Sequence, residues 1–492
     1  QNNLDSALEN YNKAIEINPN YYEAIYNKGN IYLKRKDFTK ALENYSKVIS
    51  IKNDYAPAHQ GKAIIYKKLL NFGEAIKEWQ KVFEINPGNT NALVQKGDLL
   101  FDTNQLDEAL KAYNDAFIID PNKPFLLGSM IHAKTKMCEW KNFDEDKSNL
   151  TKKILDNKKG SSPYTTLTIF DDPKIHFKSA SVWSAEHVKN EDQKTSKSFE
   201  KIKKDKKIKI GYYSADFRTH AMGHLLVRMF ELHDKEKFEI YGFYFGPTIR
   251  ENDNLSKRII KSFDKFIDVT SKNDIEVAEL SRSIGIDIAV DLMCFTGTHN
   301  RFGIFTEKCA PLQINFLGYP GTMGAKFFDY IIADPIIIPK ANRGFYSEEI
   351  IYMPHTYQPT SHSSVISNKI FTKSEMNLPN HGFVFCCFNN SYKISLNEFS
   401  IWMRILNKVE NSVLWLFNSN KWAQKNLTKE AENHGIETNR LIFANQLPHK
   451  DHLARLKLAD LFLDTFNINA HTTASDALWS GTPVITKTGN CF

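Results

Sequence analysis

No apolar stretch in the 492 residues approaches the roughly 18 that span a bilayer, so no membrane helix is expected. The opening Gln1-Asn2-Asn3 lacks the charged and apolar regions of a signal peptide. The six cysteines (Cys138, Cys294, Cys309, Cys386, Cys387, Cys491) contain no CxxC pair, which speaks against a structural metal site. So long a chain also has no need of a disulfide framework. Charge of one sign is scarce as well: 64 Lys and Arg against 57 Asp and Glu leave +7. These charges are interspersed, apart from the run Lys201 to Lys207, which reads as a solvated linker rather than a polyanion site. No nucleic-acid or membrane partner is expected, and the sequence reads as soluble and cytoplasmic. There is no initiating Met, and residue 1 falls inside a repeat, so it also reads as a fragment. What is present is globular: 42% hydrophobic and 25% charged residues, in a chain long enough for about three folding units.

Internal repetition organises the first quarter. Ala7, Ala41, Ala75 and Ala109 are spaced by 34 residues, and each is followed four positions later by an aromatic: Tyr11, Tyr45, Trp79, Tyr113. Pro19, Pro87 and Pro121 share a register, with Asn53 in the second slot, and Gly29, Ala63 and Gly97 fill a small-residue slot. This is the tetratricopeptide (TPR) pattern of stacked helical hairpins, in which small residues let paired helices approach and the aromatic fills the gap to the next hairpin. Such an array presents a concave face suited to extended peptide, although it also serves as a plain spacer. Asn27 and Asn30 lie on the helix expected to line that groove, where amides pair with peptide backbone. The equivalent positions hold Gly61 and Ile64, then Gln95 and Asp98, so an asparagine ladder would be broken.

After Pro121 the period fails. Helical segments from Trp140 to Leu155 are expected to cap the array, and Lys189 to Lys207 to form a loop or linker. Strand-length apolar runs then alternate with amphipathic stretches. The first series is Ile208–Tyr213, Glu239–Phe245, Asp287–Met293, Leu312–Leu317 and Tyr330–Ala333; the second is Phe383–Phe388, Val413–Phe417, Leu441–Phe443, Leu461–Leu463 and Val484–Thr486. Helices are expected near 221–233, 251–262 and 273–284, then 395–409, 421–434, 450–458 and 473–480. Two tandem series of this kind predict two doubly wound parallel sheets, with ligands at the carboxyl ends of the strands. The resulting division is 1–155 for the solenoid and its cap, 156–206 for a linker and helical connector, 207–370 for a first α/β lobe and 371–492 for a second.

Five segments stand out as chemistry. Asn469-Ala470-His471-Thr472-Thr473-Ala474-Ser475-Asp476 follows a strand and opens a helix, a natural anion site with Asp476 placed for ribose hydroxyls. The plainer alternative is a capping box, which accounts for one Thr and the Asp but not for His471. Asn390 and Lys393 follow another strand, where an ammonium can offset charge on a leaving group; a surface lysine is the ordinary reading. His452 and Arg455 share one helical face, suited to a nucleobase edge or simply to solvent. His220 follows the first strand of the α/β region, where an imidazole suits a general base; His224, one turn on, makes an i, i+4 pair, but no HExxH pattern or third zinc ligand accompanies it. The turn around Gly318 either brings backbone close to a sugar or is merely tight.

Several long segments carry a family resemblance: GYYSADFRTHAMGHLL (211–226), APLQINFLGYPGTMGAKFFDYIIAD (310–334), YSEEIIYMPHTYQP (346–359), FNNSYK (388–393) and LADLFLDTFNINAHTTASDALWSGTP (458–483). With the repeats and the CEW segment (138–140), the chain resembles the O-linked N-acetylglucosamine transferase family, TPR-bearing GT-B glycosyltransferases that include plant SPINDLY-type fucosyltransferases. The resemblance implies inverting, metal-independent transfer of a sugar from a nucleotide donor to Ser or Thr of proteins, with no cofactor and with protein or peptide acceptors bound through the TPR groove. It makes His220 the catalytic base and Lys393 the contact to the donor diphosphate. It assigns His452 and Arg455 to the uracil, His471, Thr472 and Thr473 to the sugar and diphosphate, Asp476 to the ribose and Gly318 to the donor sugar. Asn390 stands in for a family glutamine, His449 for a lysine and Asp287 for a second histidine. His471-Thr472-Thr473 with Asp476 resembles the UDP-sugar branch, so UDP-GlcNAc is the expected donor, ahead of other UDP-hexoses and GDP-fucose. A non-catalytic TPR scaffold and a transferase acting on small molecules or lipids are the rival readings.

Overall fold

The computed structural model describes residues 2–187, 199, 206–297 and 300–492. Most of the expected linker at 189–207, and of the basic run within it, lies outside the described residues. The chain divides into two compact units, Gln1–Lys134 and Thr135–Phe492.

The first unit is the expected helical array: α1 (Asn2–Ile17), α2 (Tyr22–Lys34), α3 (Phe38–Ile51), α4 (Ala56–Lys68), α5 (Phe72–Ile85), α6 (Thr90–Asp102), α7 (Leu106–Ile119) and most of α8 (Leu126–Lys136). Asp37, Asn71 and Asn89 cap α3, α5 and α6 through their side chains. The 34-residue signature marks contact points: Ala41, Tyr45, Ala75, Trp79, Ala109 and Tyr113 are buried. A Cβ on Gly97 would sit 2.5 Å from the Tyr113 ring, which is why that slot stays small.

The second unit begins earlier than the expected boundary at 155. Cys138 is buried in the core of the second α/β lobe, where Trp140 packs on Phe399 (centroids 5.8 Å). The backbone enters the same lobe. Lys136 O accepts from Ser391 Oγ (2.7 Å) and Asn420 Nδ2 (2.9 Å), and Met137 O accepts from Asn426 Nδ2 (2.9 Å). Helix α9 (Phe143–Leu155) therefore belongs to this unit rather than to the solenoid. Residues 156–187, expected as connector, fold into α10 (Pro163–Ile169) and α11 (Pro173–His187), and Ser184 Oγ donates to Met323 O (2.6 Å).

The first lobe contains β1 (Ile208–Ser214), α12 (Ala221–Glu231), β2 (Phe238–Tyr244), α13 (Asn254–Ser262), β3 (Lys265–Asp268), α14 (Asp274–Ile284), β4 (Ile288–Asp291), α15 (Gly303–Thr306), β5 (Leu312–Asn315), β6 (Tyr330–Ala333) and β7 (Glu349–Tyr352). All seven strands are parallel, in the order β3-β2-β1-β4-β5-β6-β7. Two strands go beyond the expected five. β3 and β7 are four-residue edges with only partial burial, so they carry no apolar run to read. The second lobe runs β8 (Val384–Cys387), α16 (Leu396–Lys408), β9 (Val413–Phe417), α17 (Lys421–Asn433), β10 (Leu441–Ala444), α18 (His449–Leu456), β11 (Leu461–Leu463), α19 (Thr472–Trp479) and β12 (Val484–Ile485), with parallel order β10-β9-β8-β11-β12. Its last residues leave the assigned lobe: Asn490 N donates to Asp171 Oδ1 (2.7 Å), and Phe492 packs with the first lobe's core. Among the described residues no helix is long and apolar enough to cross a membrane.

Candidate active site

The carboxyl ends of β1, β4, β5, β8 and β11 meet at one cavity of about 550 Å³, lined by residues of both lobes. His220 and Gly318 come from the first lobe; Asn390, Lys393, His471, Thr472 and Thr473 come from the second. Seven expected site residues thus share one space.

Lys393 follows β8 and donates from Nζ to Asn469 O (3.1 Å). Burial pushes its ammonium down to about 8, while Asp464 opposes that shift. Asp464 also shapes the neighbouring loop. It accepts from Thr465 N (2.8 Å), Ala470 N (2.7 Å), Asn389 Nδ2 (3.2 Å) and Thr486 Oγ1 (2.7 Å).

No side chain caps the start of α19, which removes the capping-box alternative. Thr473 Oγ1 instead donates to Asn389 Oδ1 (2.5 Å). The positive end of the helix and the Thr472 side chain therefore face the cavity beside Lys393, an arrangement that attracts an anion. His471 precedes the helix, with Nδ1 2.7 Å from the Tyr357 hydroxyl; burial and the Lys393 charge press its imidazole down to about 3, so it is neutral.

The nucleoside-side residues differ from expectation. Asp476 is not on the cavity wall; its Oδ1 lies 2.9 Å from His449 Nε2. The His449 ring in turn packs on His224 of the first lobe (centroids 4.3 Å). Arg455 does not present its guanidinium to solvent or to a base. It is 3% exposed, donating from NH1 to Asn445 O (2.5 Å) and from Nε to His452 Nδ1 (3.1 Å) over the Phe388 ring. Arg455 carries no acceptor, so this bond fixes His452 with its proton on Nε2. Burial, then Arg455, lower that imidazole to about 4.

On the acceptor side, His220 Nδ1 accepts from Met222 N (3.3 Å) and lies 3.4 Å from Asp216 Oδ2. Burial lowers this imidazole and Asp216 opposes the shift. With Nδ1 accepting from Met222 N–H, the neutral ring carries its proton on Nε2; for Nε2 to take a proton the ring must give up that bond and turn an Nδ1–H to Asp216, the carboxylate within reach. Gly318 is required by close approach: a Cβ there would fall 1.9 Å from Leu292 O.

The groove residues are not both free. Asn30 Oδ1 accepts from Tyr45 OH (2.7 Å), and Asp98 accepts from Tyr113 OH (2.8 Å) in the equivalent place. The middle repeat pairs Ile64 with Trp79, an apolar residue where no hydroxyl asks for a partner. Asn30 thus serves a contact between helices, while Asn27 is half-buried on α2.

The residues that sequence reasoning passed over are Tyr164, Asp216, Tyr357, Gln358, Asn389 and Asp464. Tyr164, from the supposed connector, bonds Tyr392 OH (2.9 Å) on the cavity wall and has no local signal at all. The others lie inside quoted segments: Asn389, Asp464 and Asp216 stand near Lys393, His471 and His220 in sequence, while Tyr357 and Gln358 had only their segment to mark them. Among the described residues no group of three or more His, Cys, Asp or Glu is arranged to hold a metal ion.

Comparison with known proteins agrees with this architecture. The model of glycosyl transferase family 41 matches residues 182–370 and 358–492, more than half of the chain, and tetratricopeptide repeat models match 10–43 and 61–124. The chain belongs to glycosyl transferase family 41. It is 32% identical over 287 residues to the probable UDP-N-acetylglucosamine–peptide N-acetylglucosaminyltransferase SEC of Arabidopsis thaliana, covering 57% of this chain and 29% of that protein. It is 24% identical over 398 residues to the UDP-N-acetylglucosamine–peptide N-acetylglucosaminyltransferase of Caenorhabditis elegans, covering 58% of this chain and 34% of that one. The chain therefore spans about a third of the length of the curated relatives it matches. A mutant of the Thermobaculum terrenum O-GlcNAc transferase shares the fold, with a TM-score of 0.65 at 23% identity over 95% of this chain and 82% of that one.

Proposed function

We propose that this chain carries the catalytic region of an inverting protein O-glycosyltransferase that moves GlcNAc from UDP-GlcNAc to Ser or Thr hydroxyls. The observation that carries the reading is the shared cavity: an uncapped helix tip and a half-buried lysine on one lobe, a histidine with a carboxylate beside it on the other. Lys393, the start of α19 and Thr472 take the diphosphate, and offset the charge that grows there as the glycosidic bond breaks. His220 receives the proton of the attacking hydroxyl on Nε2 once the ring's own proton has moved from Nε2 to Nδ1 and turned to Asp216. Holding donor and acceptor together in the cleft supplies much of the remaining rate. No metal or cofactor has a step in this reading. The relatives' names favour UDP-GlcNAc, and the repeat array is assigned the recruitment of protein acceptors. Cytoplasmic placement is part of the same proposal, supported by six unpaired cysteines, five of them buried.

The test is incubation with labelled UDP-GlcNAc, UDP-glucose or GDP-fucose and lysate protein, scored by mass spectrometry. A HexNAc on Ser or Thr that vanishes in Lys393→Ala is the expected result. Fucose transfer alone, or modification of lipid or small molecules alone, would replace the donor or acceptor assignment. No transfer together with no thermal shift on adding UDP would leave a scaffold.

A further inference from the structure

The segment joining the two lobes makes a contact that the transfer as described does not use. Tyr357 is anchored on the first lobe: its N–H donates to Asp334 Oδ2 (3.0 Å), its ring packs against Phe492 (centroids 4.9 Å), and it is 6% exposed. Its hydroxyl reaches across to the second lobe, 2.7 Å from His471 Nδ1. The next residue does the same one turn along α19, where Gln358 Nε2 donates to Ser475 Oγ (2.8 Å).

The direction of the Tyr357–His471 bond follows from counting hydrogens. Among the described residues His471 is the one hydrogen-bond partner of the Tyr357 hydroxyl. Were Nδ1 protonated, the ring would have to donate, and the phenol hydrogen would lie buried without an acceptor. The phenol therefore donates and Nδ1 accepts. Because burial and Lys393 keep the imidazole neutral, its proton sits on Nε2. Among the described residues Nε2 has no protein partner, and His471 lines the cavity beside Lys393 and Thr472.

We propose that Tyr357 is a positioning residue of the donor pocket: its hydroxyl, held by the first lobe, fixes His471 as the Nε2–H tautomer and so adds a donor to the second lobe's anion cradle. This rests on the donor-site reading above. It has one consequence for motion: the cradle is complete only while the connector is docked, so nucleotide affinity and apposition of the lobes are coupled.

The experiment uses the whole chain, ¹⁵N-labelled at histidine, with the His471 signals assigned by their loss in His471→Gln. The imidazole should show the Nε2–H pattern, and Tyr357→Phe, which keeps the ring, should redistribute it toward Nδ1–H. The Kd for UDP should rise roughly tenfold in Tyr357→Phe, as for loss of one well-placed hydrogen bond. That rise should vanish in the His471→Gln background, because glutamine has no tautomer to set. An Nδ1–H pattern in the unmodified protein, or an equal effect of Tyr357→Phe in both backgrounds, would overturn the proposal. If the unmodified protein does not bind UDP, the donor-site reading fails instead, and the tautomer measurement still decides what Tyr357 does to His471.

Discussion

Lys393 sits where its own charge is disfavoured. Burial pushes the ammonium down to about 8, and Asp464 opposes that shift. Under the proposed donor site the ammonium is the form that meets a diphosphate, so activity is expected below that value and lost above it. The kcat/KM profile should therefore fall with a one-proton slope as pH rises through about 8, and a flat profile to pH 9 would remove Lys393 from the reaction. Lys393→Ala should lower kcat by about 10²–10³-fold, while UDP affinity changes far less. Equal losses in both would mark ground-state binding only. The residue type and its place after a strand were legible in FNNSYK. Its carboxylate partner was not, because Asp464 lies 71 residues further along the chain and only folding brings the two together.

Helix α19 is eight residues long and has no side-chain cap, so its tip is held from outside. Asn389 does this at the end of β8: its Nδ2 donates to Asp464 and to Thr465 Oγ1 (2.9 Å), and its Oδ1 accepts from Thr473. It is 2% exposed, so Asn389→Ala would remove three hydrogen bonds from a largely buried network. Chemical unfolding should show a loss of about 2–3 kcal/mol for that variant, against about 1 kcal/mol for Thr473→Ala. Losses under about 0.5 kcal/mol for both would mean that water replaces the amide at no cost. At this scale the repeat helices and most strands were readable, because a 34-residue period and continuous apolar runs are local patterns. The asparagine groove was read too freely. Asn30 and Asp98 answer a tyrosine hydroxyl fifteen residues on, and where that aromatic becomes Trp79 the partner becomes Ile64.

Across the whole chain, the division at Lys134 and Thr135 places the Cys138-Glu139-Trp140 segment in the second lobe's core. A fragment of residues 135–492 should fold cooperatively and bind UDP. One of 156–492 should not, since it loses Cys138, Trp140 and the carbonyls that Ser391, Asn420 and Asn426 use. Calorimetry of the two fragments with and without UDP checks this, and equal behaviour would restore the boundary at 155. The sequence by itself determined the solenoid, the two parallel sheets and the segments from which a donor pocket is drawn, because periodicity, apolar runs and turn residues act over short distances along the chain. Tertiary structure alone decided that Arg455 is a buried brace for His452, that Asp476 pairs with His449, and that Tyr357 reaches His471 from the opposite lobe. Each of these depends on which groups are desolvated together, and residues far apart in sequence set that environment.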